Sequence, residues 1–532
     1  MSRDIANTIT ELARSQAFPF PVTHVEVHQT HISAVFLAGS YAYKIKKPVK
    51  LPFLDFSTPE RRRFFCDEEV RINRRLAPDV YLGVVPVCEC DDGLCFEQTS
   101  AVIDWAVKMV RLSEDATMAA RLQNDTLAPK DVTRLAEQLA AFHAEAPRAE
   151  PNSLFGQFSV IARNIRDNLD AAESQVRRLL TPNVYSRLRR LSENALSGLQ
   201  ELIERRTPSG FTRELHGDLH LDHIYLFPER PEPRDMAIID AIEFNEEFRW
   251  IDVVADMAFC VMDFLFHGRR ELAAQFADEY FERTDDEEGR RLLPLYTSYR
   301  AAVRAKVEGI KANESEVELA ERTSAMQHAQ AHWLIALGEL ETPTQRPALV
   351  LVSGLPGTGK STVARQLSTA AHFNVIRSDV VRKELAGISQ STSAATAAGL
   401  QEGIYTSEWT EWTYAECLRR AEMELRDGGR IIVDATFLQE SFRRKFTDLA
   451  VGLGVPVIWM LCEAPAEIVH QRIESRKADA SDADWNVYQH AVKCWEPPGS
   501  ASRRRLRTLD CTGEQDEVAA RALAILRSER LA

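Results

Sequence analysis

The segment "SGLPGTGKS", residues 353–361, has the residue types needed to hold a triphosphate. Gly354, Gly359, Lys360 and Ser361 satisfy G-x-x-x-x-G-K-[ST], directly after the apolar run "ALVLVS" and directly before the helical "TVARQLSTAA". In that setting the glycines let backbone N–H groups converge on phosphate oxygens. The helix N-terminus adds its positive end, and Lys360 reaches the outer phosphates. Gly354, Gly357, Gly359, Lys360, Ser361 and Thr362 form the expected nucleotide-binding set, with Ser361 also a ligand of Mg2+.

Transfer of the phosphoryl group needs an acceptor side as well. Asp379, in "VIRSDVVRKEL", follows a short strand where it could take a proton from a hydroxyl, with Arg377 and Arg382 near enough to hold an anion. The same aspartate would also suit a helix N-cap. Asp434, closing "RIIVD", has the place of a carboxylate beside Mg2+ or of a strand-end turn residue. Arg472 and Arg476 stand four apart on one helical face, which suits a lid closing over transferring phosphate or a solvated basic surface. A second constellation lies far upstream. "HGDLHLDHIYLF", residues 216–227, sets Asp218 between two histidines just before an apolar run, and it too suggests phosphoryl transfer.

These groups must be positioned by two different kinds of architecture. Three short β-like runs, "HVEVHQT", "HISAVFLAG" and "YAYKIKK", predict an antiparallel N-terminal sheet. "RRRFFCDEEVRINRRLA" reads as a helix, and "LGVVPVCEC" and "WAVKMVRL" as further strands. Cys88, Cys90 and Cys95 read better as part of a β-hairpin around an Asp-Asp-Gly turn than as metal ligands. From Asp131, an N-cap candidate, Val132, Leu135, Leu139 and Phe142 share one helical face, and helical patterns dominate beyond. Past "ETPTQRP" the grammar changes. "ALVLVSG", "IIVDAT" and "VPVIWML" are buried-strand runs separated by helices, which predicts a parallel sheet with crossover connections.

The expected fold class is therefore α/β and α+β in two domains, divided as residues 1–337, a linker at 338–347, and 348–532. The first domain comprises a small sheet-rich lobe to about 112 and a helical lobe to 337. At 532 residues the chain is too long for one core, and its 45% hydrophobic and 27% charged content is ordinary for globular proteins. A net charge of −14 repels a polyanion, so extended nucleic acid is a disfavoured partner. The charged N-terminus, nine cysteines and lack of a long apolar run imply no membrane anchor and a reducing compartment, most simply the cytoplasm.

Two resemblances extend this reading. Residues 348–500, with the S-D-x-x-R signature at Ser378 to Arg382, resemble small P-loop kinases that phosphorylate hydroxyls, a group including gluconate-kinase-like enzymes, polynucleotide kinase and zeta-type toxins. That likeness implies Asp379 as base and Arg382 as a substrate contact. "HGDLHLDHI" resembles the catalytic loop of the aminoglycoside phosphotransferase family, which has a protein-kinase-like bilobal fold. The likeness implies Asp218 as the base, Asp240 as the Mg2+ carboxylate, and Lys44 and Glu69 as the ion pair that orients the α and β phosphates. One position departs from the pattern. His223 stands where the family has a metal-binding Asn, so either Asp240 holds the metal with help from Glu243 or Asp222, or the site uses Mn2+, or catalysis is lost. The pairing as a whole resembles a bacterial family of such fusions. It implies a bifunctional, ATP- and Mg2+-dependent kinase acting on a small-molecule hydroxyl. A polynucleotide 5′-hydroxyl kinase, prompted also by "SRRRLRTLD", and a non-catalytic ATP-switched binding protein are the alternatives.

Overall fold

The computed structural model describes residues 4–51, 54–98, 101–175, 177–314, 317–388, 404, 406–475 and 484–532. The chain divides into two compact units, neither continuous in sequence. The first comprises Met1–Ala162, Leu199–Asp263 and Glu271–Leu293, and the second Arg163–Gly198, Phe264–Arg270 and Pro294–Ala532. The 338–347 stretch lies within the second unit. Its first three residues close the helix Leu319–Leu340 rather than forming a linker, and strand pairing resumes at Ala348.

In the first unit β1 (Val25–Gln29), β2 (Ser33–Ala38) and β3 (Tyr41–Lys46) are joined by the short pair β4 (Lys50–Leu51) and β5 (Leu54–Asp55), then β6 (Tyr81–Cys90), β7 (Gly93–Phe96) and β8 (Val102–Val110). Six of them form an antiparallel sheet in the order β1-β2-β3-β8-β6-β7. The expected hairpin is present, with Cys88 opposite Cys95 and Cys90 opposite Gly93. Alternation along β3 sets its chemistry. Tyr43 and Ile45 enter an apolar core with Phe36 and Phe96, which leaves Ala42, Lys44 and Lys46 for the other face. The helix Pro59–Asn73 covers that face. Thr58 caps it by accepting from the Arg61 N–H at 3.3 Å, and Pro59 opens it at a position where the missing N–H costs nothing.

Four short strands follow: β9 (Thr212–Glu214), β10 (Ile224–Leu226), β11 (Met236–Ile238) and β12 (Trp250–Asp252). β9 pairs with β12 and β10 with β11, both antiparallel. The loop between β9 and β10 carries the "HGDLH" segment, and the turn after β11 carries Asp240. The helix Pro129–Glu145 begins three residues earlier than Asp131 as N-cap suggested. Ala128 is the cap position, and the Asp131 carboxylate accepts from its N–H at 2.9 Å, the N3 half of a capping box.

The second unit is built on five parallel strands, β13 (Ala348–Ser353), β14 (Asn374–Arg377), β15 (Arg430–Asp434), β16 (Val457–Glu463) and β17 (Leu506–Asp510), in the order β14-β15-β13-β16-β17. β13 is central and wholly buried, as its unbroken apolar sequence requires. Because the strands that follow β13 in sequence lie on both sides of it, the crevice beyond its C-terminal end is where an open parallel sheet binds ligands. β17 is additional to the strands that the apolar runs predict. The arginine run "SRRRLRTLD" supplies the helix Ser500–Arg505 and this edge strand, whose charged residues mask its period.

Candidate functional site

The first unit gathers five charged side chains under β3. Lys44 Nζ lies 2.6 Å from Asp240 Oδ1 and 2.9 Å from Glu69 Oε1. The expected Lys44–Glu69 pair is therefore formed, although Lys44 is shared with Asp240. Lys46, two residues on, is not solvated: it is 2% exposed, lies 2.7 Å from Glu69 Oε2, and also bonds Glu243. Burial alone would lower the Lys44 ammonium, but Asp240, Glu69 and Glu243 raise it well above the ordinary lysine value. Glu243 is driven up by burial in spite of Lys46. With its carboxylate committed there, Glu243 is not the auxiliary metal ligand that the sequence offered, and Asp222 is exposed.

Asp240 has a left-handed backbone, φ +65°, which an aspartate tolerates. Its N–H donates to the Tyr81 hydroxyl at 3.1 Å, and the next N–H, of Ala241, donates to Asn73 Oδ1 at 2.9 Å. The helix Pro59–Asn73 thus fixes the turn that aims the carboxylate. Partial burial raises the Asp240 carboxyl, but Lys44 brings it well below the usual range.

The Asp218 loop is braced from the helix Val253–Phe266. Asp256 accepts from the backbone N–H groups of His216 at 3.3 Å and Gly217 at 2.8 Å, and pairs with His143 at 3.1 Å. Asp252, immediately before that helix, pairs with buried Arg206. Gly217 is required in the loop, since at its φ of +85° a Cβ would lie 2.6 Å from the Phe248 carbonyl oxygen. His216, kept from charging by burial, bonds the Ile239 carbonyl at 2.8 Å and is structural. His220 bridges carboxylates, with Nε2 2.9 Å from Asp218 Oδ1 and Nδ1 3.2 Å from Asp263 Oδ2. Burial would lower it, yet Asp218 and Asp263 push it up to about 9, so it is an imidazolium at neutral pH. His223 Nδ1 lies 2.9 Å from the Asp218 carbonyl oxygen, and its Nε2 3.8 Å from Asp240 Oδ2. Lys44, Glu69, Asp218, His223 and Asp240 are therefore one cluster. Lys46 and His220 belong to it without having been assigned from the sequence.

In the second unit the loop Gly354–Gly359 follows β13 and leads into the helix Lys360–Ala371. Gly354, φ +139°, is pressed against β16, where a Cβ would lie 2.3 Å from the Cys462 carbonyl oxygen. Lys360 Nζ donates to the Leu355 carbonyl at 3.0 Å, folding back over the loop. Arg377 donates to the Ser361 hydroxyl at 3.3 Å and lies 3.4 Å from Asp434 Oδ2. Asp434, at the end of β15, is raised by burial. Lys360 and the Ser361 hydroxyl oppose that rise, Asp379 adds to it, and Arg377 opposes it. One carboxylate thus senses Lys360, Ser361, Asp379 and Arg377 together. Asp434 and the Ser361 hydroxyl are hard oxygen donors side by side, a set that fits Mg2+. Thr362 lies in the first turn of the same helix. Asp379 is in the first turn of the helix Ser378–Leu385, with Arg377, not the aspartate, at the cap position. Arg382, on that helix, is buried and donates to the Ile404 carbonyl at 2.8 Å and the Thr410 hydroxyl at 3.3 Å. Arg472 reaches the loop, donating to the Thr358 carbonyl at 3.3 Å and the Cys511 carbonyl at 2.8 Å. Arg476 lies outside the described residues. A cavity of about 360 Å³ in this unit, among Arg177, Arg178, Pro182, Trp333 and Arg426, shares no lining residue with the loop site.

Two family matches mark a two-domain phosphotransferase, kinase-like in one part and P-loop in the other. Residues 55–293 match the phosphotransferase enzyme family, and residues 349–498 match an AAA domain family. Uncharacterized proteins of Mycobacterium tuberculosis and Mycobacterium bovis are each 32% identical over 466 residues, covering 87% of this chain and 89% of theirs. The chain belongs to the family of these mycobacterial proteins, and in it a phosphotransferase-family domain is followed by a P-loop kinase domain. Among solved structures, it is similar to a gluconokinase from Sinorhizobium meliloti, at 19% identity and a TM-score of 0.27 over 35% of this chain and 94% of that one. It is also similar to a choline/ethanolamine kinase family protein from Mesorhizobium loti, at 12% identity and a TM-score of 0.35 over 63% and 98%. Among the described residues no helix is long and apolar enough to cross a membrane.

Proposed function

We propose that the chain transfers the γ-phosphoryl group of ATP to a hydroxyl of a small molecule, with turnover at the P-loop site. The observation that carries the reading is the convergence on Asp434: Lys360 and Ser361 from one segment, and Arg377 and Asp379 from another, all act on that one buried carboxylate. Asp379 takes the proton of the acceptor hydroxyl, whose oxygen attacks the γ-phosphorus while the bridging oxygen leaves with ADP. Lys360 and Arg472 neutralise charge on the phosphates in flight, and Ser361 and Asp434 would hold Mg2+, which would supply further charge neutralisation. Arg377, 3.4 Å from Asp434, screens that carboxylate. Arg382 serves as a positioning residue, tying the Asp379 helix to Thr410.

The kinase-like unit binds a second nucleotide through Lys44 and Asp240, and Asp218 is its candidate base. The polynucleotide alternative loses support, since part of the arginine run is engaged: Arg507 pairs with Glu529 and Arg505 donates to backbone carbonyls.

The test is transfer from labelled ATP to a panel of small hydroxyl compounds. Lys360→Ala is expected to cut product formation about a hundredfold or more, the scale of losing one charge-stabilising donor, while Asp218→Ala leaves it standing. Equal loss in Asp218→Ala with full activity in Lys360→Ala would move turnover to the other unit.

A further inference from the structure

We infer that the kinase-like unit holds its divalent ion through a mixed nitrogen and oxygen pair, His223 Nε2 and Asp240 Oδ2, and so takes a first-row transition ion in preference to Mg2+. The inference rests on the reading of that unit as nucleotide-binding and adds which ion accompanies the nucleotide.

The argument begins with a proton. His223 Nδ1 is 2.9 Å from the Asp218 carbonyl oxygen, and a carbonyl only accepts, so Nδ1 carries hydrogen and donates it. In the neutral ring the other nitrogen, Nε2, then presents a lone pair, and it faces Asp240 Oδ2 at 3.8 Å. That separation is too long for a hydrogen bond. Two donors each about 2.0–2.2 Å from one ion can stand up to about 4.4 Å apart, so a single ion can reach both atoms. A backbone carbonyl that fixes the far N–H of an imidazole is also the usual outer partner of a metal-bound histidine, because it sets tautomer and ring orientation.

The second donor is fixed as firmly. The left-handed backbone of Asp240 is held by the Tyr81 hydroxyl on one side and by Asn73 through Ala241 on the other. Among the described residues no group of three or more His, Cys, Asp or Glu could hold a metal alone, so phosphate oxygens and water must complete the shell. An all-oxygen shell is what Mg2+ requires. An imidazole in the shell favours the transition series, in which affinity for nitrogen donors rises from Mn2+ upward. The P-loop site, with Ser361 and Asp434, offers only oxygen.

That contrast makes the experiment site-specific without cutting the chain. Full-length protein is loaded with Mn2+, the weakest member of the series and so the strictest probe, and a non-hydrolysable ATP analogue. Pulsed electron paramagnetic resonance then reads imidazole nitrogen on the manganese. The expected result is nitrogen modulation in the native chain that disappears in both His223→Asn and His223→Gln, each confirmed as folded by its thermal unfolding. In His223→Asn the Mg2+ concentration needed to displace Mn2+ from this site should fall about tenfold, the low end for disturbing a metal's ligand environment. Modulation that survives both variants, or a second manganese bound without any modulation, overturns the inference alone. Binding of only one analogue and one manganese, both lost in Lys360→Ala, overturns the nucleotide-binding reading and the inference together.

Discussion

His220 couples the candidate base to the stability of its own loop. Its imidazole sits between Asp218 and Asp263, and although burial opposes charge, the two carboxylates raise it to about 9 from an unfolded value near 6.5. A group raised on folding contributes stability that is complete below the unfolded value and is lost as pH climbs through the folded one. The native chain should therefore lose unfolding free energy between about pH 6.5 and 9. In His220→Gln the slope over that window should flatten, because Asp263 keeps its bond from the Leu221 N–H at 2.9 Å but no longer gains a cation. Urea midpoints across the window measure this, and parallel slopes in the two proteins would remove His220 as the cause. At this scale the candidate groups were legible in the sequence, since Asp218, Asp240 and Lys360 stand in motifs whose residues the structure brings into two clusters. His220 was concealed, because its charge depends on Asp263, a residue 43 positions away that only the helix Val253–Phe266 brings to it.

The helix Pro59–Asn73 is pinned to β3 by charge where most helices are pinned by apolar contact. Its buried face includes Arg62, Cys66, Glu69, Val70 and Asn73, so its sequence shows almost no apolar stripe. Glu69 is wholly buried, with one oxygen on Lys44 and the other on Lys46. Lys46→Met leaves Glu243 and one Glu69 oxygen without their cation in the interior, and the expected cost is about 3–5 kcal/mol of unfolding free energy. Lys46→Met combined with Glu243→Leu should recover a large part of that loss, because an apolar pair of similar volume replaces the ions. Chemical denaturation of the three proteins decides it: a loss below about 1 kcal/mol in the single variant would mean that water reaches the pair. Two lysines on one strand face read as a solvated stripe, which is why Lys46 was not assigned from sequence. β13, β15 and β16 were legible for the opposite reason, being unbroken apolar runs that only a doubly covered strand explains. β17 was not, because an edge strand needs only one buried side and here spends the rest on arginine and aspartate.

On the scale of the whole chain, residues that look like the end of one domain are built into the core of the other. Trp333, Leu334, Ile335 and Leu337, on the helix Leu319–Leu340, are all buried, and they belong to the P-loop unit. A Cβ on Gly454 would lie 2.6 Å from Ile335, and one on Gly428 2.9 Å from Leu337, so both glycines mark close contact with that helix. Polar links repeat the pattern: Arg187 pairs with Glu341 at 2.7 Å and donates to the Gly428 carbonyl at 2.8 Å, and Thr181 bonds Asp427 at 2.6 Å. None of this was legible in a sequence whose composition shifts at "ETPTQRP", because a change of pattern marks where the sheet begins and not where the core ends. A chain starting at 348 would expose the surfaces that these side chains cover, at about 1.5–3 kcal/mol for each large aliphatic group returned to water. It should therefore melt well below the full-length protein and bind a hydrophobic dye in proportion. Adding back 294–347 should raise the melting temperature only in part, since Thr181 and Arg187 would still be missing. Scanning calorimetry of the three chains reads the outcome, and a 348–532 fragment melting as cooperatively and as high as the full-length protein would show that the sheet and its own helices form a sufficient core.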